Sequence, residues 1–165
     1  MKALRLILLF TSLVVLLASS REPDIWADSA YFPILMNKAD LSNSVNIFEA
    51  REFKKPGKIY LYGDNIYIVD QYSGIHIIDN HDPFNPVKTG FIRIPGVLDL
   101  GIKDSVMYVD NAIDLVAIDI RNYPQIEILD RFEEVFPEPA PPDMDDRGWS
   151  YRRPKNMVIV DWVKK

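Results

Sequence analysis

The sequence predicts an all-β protein built from repeated four-stranded antiparallel sheets. Three observations support this fold class. Residues 57–96 and 97–136 are two copies of one unit, with corresponding residues about 40 positions apart. Short runs rich in Ile, Val and Tyr suit pleated, half-buried strands. Residues that favour turns separate these runs, as in Gly63-Asp64-Asn65.

Corresponding pairs of residues define the two copies. The Val69-Asp70 pair corresponds to Val109-Asp110, and Ile78-Asp79 corresponds to Ile118-Asp119. Four antiparallel strands in about 40 residues is the spacing of a β-propeller blade, so the sequence predicts a partial β-propeller of about two blades plus one strand. The predicted strands are Lys58–Gly63, Asn65–Gln71, Gly74–Asn80, Val87–Ile94, Val97–Lys103, Val106–Asn111, Leu115–Ile120 and Gln125–Phe132.

The composition of the flanking segments predicts their structure. Residues 21–56 are predicted as an N-terminal arm, irregular up to residue 43 and with one strand over residues 44–54. Residues 137–155 hold five prolines, which donate no backbone hydrogen bond to a sheet, and predict a loop. Residues 156–165 are predicted as the first strand of an incomplete third repeat. Since a propeller closes with at least about four blades, we expect a fragment of a longer protein, ahead of self-association or a compact remnant.

Residues 1–20 have the features of a secretory signal peptide. Lys2 and Arg5 precede the apolar run Leu6–Leu17, and the small residues Ala18-Ser19-Ser20 follow it. As a helix the run would span about 18 Å, less than the ~30 Å core of a bilayer. A cleaved signal is therefore favoured, and an uncleaved signal is the one predicted route to a membrane. The expected location is secreted, periplasmic or at the cell surface.

Composition also limits the chemistry of the chain. There is no cysteine, which excludes disulfides, thiolate metal sites and cysteine nucleophiles. Removal of the signal takes the formal net charge from −5 to −7, and nucleic-acid binding is not expected because phosphate contacts need clustered Lys and Arg. His76 and His81 lack a known zinc spacing, and no G-x-S-x-G nucleophile motif is present. The sequence thus predicts no catalytic residue, no metal site and no cofactor.

Aspartates recur at the ends of the predicted strands. A ring of metal ligands would require several of these carboxylates to converge on one point. Their repetition instead favours turns, in which an aspartate accepts a hydrogen bond from the backbone N–H two residues on. The residues concerned are Asp64, Asp70, Asp79, Asp104, Asp110, Asp119 and Asp161.

Two further aspartates, Asp99 and Asp114, are candidate binding residues. Asp99 interrupts the apolar run 97–100, and its predicted counterpart in the first repeat is Ile59. The first strand of a propeller blade lines the central channel, where an unpaired carboxylate would hold a cation or a polar ligand. The alternative is a structural role, since a buried acid must be paired or hydrogen-bonded.

The long loop supplies the other binding candidates, Trp149, Tyr151 and Arg152. Exposed Trp, Tyr and Arg are the residue types that dominate binding interfaces. Aromatic rings of this kind also stack on sugars. The alternative is that these side chains fold back over the open end of a sheet.

Several motifs over residues 56–136 occur in the order found in one known family. They are Gly74–Asp79 (GIHIID), Asp82-Pro83 with Pro86, Pro95-Gly96 and Asp114–Asp119 (DLVAID). In these motifs the chain resembles LVIVD-repeat proteins of bacterial envelopes, although it lacks their lipid-anchoring cysteine. The resemblance implies a secreted or surface-anchored β-propeller and adds no catalytic residue.

Together these observations predict a non-catalytic binding or scaffolding module. Its expected partners are a protein or glycan of the cell envelope, or a second copy of the chain. Two alternatives stay open. The chain is a truncated piece of a larger LVIVD-repeat propeller without activity of its own, or it is part of a propeller enzyme such as a hydrolase or a quinone-dependent dehydrogenase.

Overall fold

The computed structural model describes residues 30–143 and 153–165, which form an all-β protein of three antiparallel sheets. The predicted fold class is confirmed at this level. Within the described ranges the sheets do not close into a barrel or a ring. The one helix there is a four-residue turn, and none is long and apolar enough to cross a membrane.

The first sheet has five strands in the order β2-β6-β5-β4-β3, of which β3 to β6 form a simple meander. β2 pairs with the outer strand β6 and is shorter than the strand predicted for residues 44–54. That prediction was wrong beyond residue 48, because the chain leaves the edge there and packs Arg51 and Phe53 over the sheet. The strands are β2 (Asn46–Phe48), β3 (Pro56–Tyr62), β4 (Asn65–Asp70), β5 (Gly74–Asp79) and β6 (Val87–Arg93).

The second sheet is a four-stranded meander in the order β10-β9-β8-β7. Asp104 and Ser105 form the turn between its first two strands with positive φ of 52° and 64°, a conformation that matches the right-handed twist of a hairpin. The strands are β7 (Leu100–Lys103), β8 (Val106–Asn111), β9 (Asp114–Asp119) and β10 (Glu127–Phe132). All eight strands predicted for the two repeats therefore form, with bounds that differ by a few residues.

The two sheets pack face to face over one hydrophobic core. Tyr67 and Val69 of β4 lie in it with Met107 and Val109 of β8, and all four are at most 4% exposed. Each side chain of this size contributes about 1.5–3 kcal/mol by its burial. The remaining buried members are Ile75, Ile77, Ile92, Ile94, Val97, Leu100, Ile102, Val116, Ile118 and Ile120.

Two tyrosines join the first strands of the sheets. The Tyr60 hydroxyl donates to the Ile102 carbonyl at 3.2 Å, and the Tyr62 hydroxyl accepts from the Ser105 N–H at 3.0 Å. Both tyrosines lie on β3 and both partners lie on β7 or its turn. The first strands of the two repeats are thus neighbours.

The correspondence between the repeats shifts by one residue in the third strand. Ile77 pairs with Tyr67 in the first sheet, and Ile118 pairs with Met107 in the second. In the core, Ile118 therefore occupies the position of Ile77, 41 residues earlier. The sequence pattern had predicted Ile78, 40 residues earlier, as its counterpart. The predicted correspondence of the Ile-Asp pairs is wrong by one residue.

Hairpin length causes the shift. Asp70 pairs with Gly74 across three intervening residues, whereas Asp110 pairs with Leu115 across four. Successive side chains of a strand point to opposite faces, so one extra residue moves the inward positions of the next strand by one.

The third sheet is a two-stranded ribbon of β1 (Tyr31–Asn37) and β11 (Met157–Lys164). The expectation of an irregular arm was wrong for residues 31–37, because their partner strand lies more than a hundred residues away in the sequence. β11, predicted as the first strand of a third repeat, pairs only with β1 among the described residues. Helix α1 (Lys38–Leu41) follows β1, capped by the Asn37 side chain, which accepts from the Ala39 N–H at 3.0 Å.

The ribbon packs on the hairpin loops of both repeat sheets. Val158 and Val160 contact Ala112 and Ile113 in the β8–β9 loop region. On its other side, Ile159 and Trp162 pack with Tyr72 of the β4–β5 loop. The ribbon therefore holds together the same end of both sheets. Residues 1–20, predicted as the signal peptide, lie outside the described residues.

Candidate binding site

A carboxylate lies at the corresponding position near the end of the second strand in each repeat sheet, in Asp70 of β4 and Asp110 of β8. Asp70 is fully buried and accepts hydrogen bonds from the backbone N–H groups of residues 54 and 55. Asp110 accepts from the backbone N–H groups of Leu98 at 2.9 Å and Asp99 at 2.8 Å. Each carboxylate thus fixes the segment that precedes the first strand of its own sheet.

The turn interpretation of the repeated aspartates is correct for one set and wrong for another. Asp79 accepts from the His81 N–H at 2.9 Å, and Asp119 accepts from the Arg121 N–H at 2.8 Å, each two residues on. Asp70 and Asp110 bond instead to chain more than ten residues earlier. These two carboxylates connect segments rather than close turns.

An apolar cavity of about 490 Å³ lies between residues 136–140 and the outward face of the second sheet, the face turned away from the shared core. Leu98, Leu115 and Phe136 contribute apolar wall, and Asp99 and Asp110 add carboxylates to it. Its volume falls in the range of small-molecule sites, which are mostly apolar with a few polar groups. The rest of the lining is Leu100, Gly101, Tyr108, Ala112, Pro137, Glu138, Pro139 and Ala140.

Burial raises the pKa of the Asp110 carboxyl from 3.8 to about 6. The hydrogen bonds from the backbone of Asp99 and Leu98 act in the opposite direction but are outweighed, and the charge of Asp99 adds to the rise. A carboxyl with a raised pKa in a cavity wall is a recognised mark of a functional site. Asp110 was assigned to a turn in the sequence, so this feature was missed there.

The structure places Asp99 at this cavity, but its carboxylate is not unpaired. Its Oδ1 contacts the Lys58 ammonium and accepts from the Leu100 N–H at 2.6 Å, and the side chain is 63% exposed. Strand β7 begins one residue later, so Asp99 lies before the strand rather than inside it. Asp99 is thus a polar group at the rim of the cavity, already held by Lys58.

The predicted counterpart of Asp99 was also wrong. Ile59 pairs with Ile68 on β4, and the matching residue of β8, Tyr108, pairs with Gly101. Gly101 therefore takes the place of Ile59. The β3–β4 hairpin places eight residues between Ile59 and Ile68, whereas the β7–β8 hairpin places six between Gly101 and Tyr108, so the offset at this point is 42 rather than 40.

Asp114 has a structural environment. It is 6% exposed, accepts from the Arg131 Nη1 at 2.7 Å and from the Glu134 N–H at 3.0 Å. Because both carboxylate oxygens are occupied, Asp114 fixes β10 and the turn after it. The structure does not bring Asp114 to the cavity that Asp99 lines.

Sequence reasoning missed a buried pair in the first sheet. The Nε2 of His76 lies 3.3 Å from the Asp70 carboxylate, and both side chains are at most 1% exposed. The imidazole packs between the rings of Phe53 and Phe91, with centroids 4.3 and 4.8 Å away. Desolvation by burial lowers the pKa of His76, against the opposing effect of Asp70, so the ring is neutral near pH 7. The pair is closed to solvent, which suits a structural role.

The register of the β4–β5 hairpin, which follows from the short loop between Asp70 and Gly74, could have indicated this pair. Asp70 and His76 flank a short loop, and β5 folds back so that His76 pairs with Ile68. Residues two apart on one strand share a face, which makes Asp70 and His76 diagonal neighbours.

The other predicted binding residues, Trp149, Tyr151 and Arg152, lie outside the described residues. Within residues 30–143 and 153–165 no group of three or more His, Asp or Glu side chains is arranged to hold a metal ion. Comparison with protein-family models, with curated proteins and with solved structures found no match to this chain.

Proposed function

We propose that the protein is a non-catalytic binding module, and that it binds an apolar ligand in the cavity on the outward face of the second sheet. The observation that carries this proposal is the cavity itself, with about 490 Å³ of space beside an exposed sheet face. The ligand is a small apolar molecule or the apolar part of an envelope component. Asp99 and Asp110 at the wall favour a ligand that also bears a hydrogen-bond donor.

We further propose that the two repeat sheets are β-propeller-type blades of the LVIVD kind. The meander order of four strands in each sheet supports this. The hydrogen bonds of Tyr60 and Tyr62, which join the first strands of the two sheets, support it too. In a propeller the first strands lie closest to the axis and successive blades pack face to face.

A cavity-filling substitution tests the binding proposal. Gly101 lines the cavity, and a Cβ placed on it meets no atom within 4 Å. Gly101→Leu should fill the space without disturbing the fold. The matched control is Lys103→Leu, which adds the same side chain to the same strand outside the cavity lining. The probe is the uncharged fluorophore N-phenyl-1-naphthylamine, which brightens in apolar sites.

We expect saturable binding of the fluorophore to the wild type and to Lys103→Leu. In Gly101→Leu the affinity should fall by about tenfold or more, a change of ~1.4 kcal/mol. Circular dichroism should be the same for all three proteins. Equal affinity in folded Gly101→Leu, or no saturable binding by the wild type, would contradict the proposal.

The proposed location is outside the cytoplasm, through the predicted signal peptide of residues 1–20. Cell fractionation with intact-mass measurement tests it. An exported protein that begins near residue 21 is expected. A cytoplasmic protein that retains these residues would overturn the proposal.

A further inference from the structure

A second cavity, of about 590 Å³, lies between the β1–β11 ribbon and the end of the first sheet. It is more polar than the first cavity. Three basic side chains line it, from Arg51, Lys54 and Arg93. They come from two separated parts of the chain, the segment that crosses the first sheet and the end of β6.

These basic groups lack carboxylate partners within the described part of the chain. None of the three forms an ion pair with a described residue. The cavity also has two acids, but the Asp161 carboxylate already accepts from Lys55 at 3.0 Å. That leaves Asp40, which is exposed, against three cations. A local excess of positive charge is unexpected in a chain with a formal charge of −5.

Arg51 is the most informative of the three. Its guanidinium lies over the Phe91 ring, 3.4 Å from the centroid, which fixes the orientation of the group. Its Nε is buried and makes no hydrogen bond. Arg51 lines the cavity, so an oxyanion there would supply acceptors to the other N–H groups of its guanidinium.

We propose that this cavity binds a small molecule bearing an oxyanion, a phosphate or a carboxylate, through Arg51, Lys54 and Arg93. Arginine donors match the paired oxygens of such groups. The volume exceeds that of a bare inorganic ion and suits a small organic anion. This site differs from the apolar cavity in place, in charge and in ligand class, so the two proposals stand independently.

Calorimetric titration of the full chain tests the proposal. The two probes are inorganic phosphate and citrate, each added at constant ionic strength. The main variant is Arg93→Gln, because the Arg93 side chain forms no hydrogen bond or ion pair with another described residue. Lys103→Gln is the matched control, as an exposed lysine on β7 outside this cavity. Asp40→Asn removes the competing acid.

We expect at least one probe to bind with a Kd of about 1 mM or less. Binding should weaken about tenfold in Arg93→Gln, stay unchanged in Lys103→Gln and tighten a few-fold in Asp40→Asn. Whichever probe binds identifies the head group as phosphate or carboxylate. The proposal is overturned if neither probe binds the wild type, or if Lys103→Gln weakens binding as much as Arg93→Gln, which would indicate unspecific attraction.

Discussion

The outward faces of the two repeat sheets differ, although the inward faces share one core. In the first sheet the imidazole of His76 fills the middle of the outward face, and Arg51 and Phe53 cover it. In the second sheet the corresponding residue is Ala117, since it pairs with Tyr108 as His76 pairs with Ile68. The apolar cavity lies on this second face.

The comparison separates the residues that the two repeats share from those in which they differ. Both sheets keep the carboxylate that fixes the start of the first strand, in Asp70 and Asp110. Only the first packs this carboxylate against an imidazole under the segment of Arg51 and Phe53, whereas the second leaves a cavity between the sheet and residues 136–140. Asp110 instead lies at the wall of a cavity, and burial raises its pKa to about 6. The repeated residues build the sheets, and the unrepeated ones determine which face is open.

The largest expected effect concerns Gly74, the first residue of β5. A Cβ there would lie 2.2 Å from the Ile92 carbonyl oxygen and 2.5 Å from the Phe91 Cζ. Gly74→Ala should therefore lower the free energy of unfolding by about 3 kcal/mol, through overpacking of the covered face. Urea denaturation of the full chain measures this.

The corresponding residue of the second sheet, Leu115, is the control. It pairs with Asp110 as Gly74 pairs with Asp70, but it is half-buried at the cavity wall. Leu115→Ala should cost only about 1 kcal/mol, since the open face has little packing to lose. If the two substitutions cost the same, the two faces do not differ in packing as described.

The next effect compares the two carboxylates. Asp70→Asn places an amide where two backbone N–H groups and the His76 ring all require an acceptor, and should cost about 2–3 kcal/mol. Asp110→Asn should cost about 1 kcal/mol or less at pH 7, because it also removes a partly buried charge. Urea denaturation of both variants at one pH decides the order. A larger loss of unfolding free energy for Asp110→Asn would show that the covering segment and the His76 ring are not what makes Asp70 important for stability.

Local sequence was sufficient to predict the meander strands. Runs such as Asn65–Asp70 combine β-branched residues with turn residues at each end, and their partners are the next strands along the chain. The aspartate turns at Asp79 and Asp119 were predictable for the same reason, because donor and acceptor are two residues apart.

The other features of the fold depend on contacts between distant parts of the chain and on strand register, which local sequence does not show. The β1–β11 ribbon joins the two ends of the described chain, and nothing in Tyr31–Asn37 alone indicates that partner. Residues 44–54 alternate in polarity as a strand does. After residue 48, however, the segment crosses the sheet, where Arg51 stacks on Phe91. The β8–β9 hairpin has one residue more than the β4–β5 hairpin, so Ala117 corresponds to His76, 41 positions earlier. A constant offset of 40 between the repeats therefore did not reveal that Ala117 lies on the outward face.

The last comparison is pH dependence, which should differ in sign between the sheets. Burial raises the pKa of Asp110 to about 6 from 3.8. Between these values the folded state keeps a proton that the unfolded state has lost, so this carboxyl lowers the free energy of unfolding as pH rises from about 4 to 6. Burial lowers the pKa of His76, whose contribution is complete above its ordinary pKa of 6.5 and is lost as pH falls. Asp110→Asn should remove only the first effect.

Unfolding free energies of wild type and Asp110→Asn, measured from pH 4 to 7, test this sign. The wild type minus the variant should fall by about 2–3 kcal/mol between pH 4 and 7, at ~1.36 kcal/mol per pKa unit, with most of the fall below pH 6. Asp79→Asn is the control for the substitution itself, since its exposed turn tolerates Asn. Parallel profiles for wild type and Asp110→Asn would mean that Asp110 ionises as an ordinary surface acid, and the open face of the second sheet would then lack the desolvated carboxyl that distinguishes it.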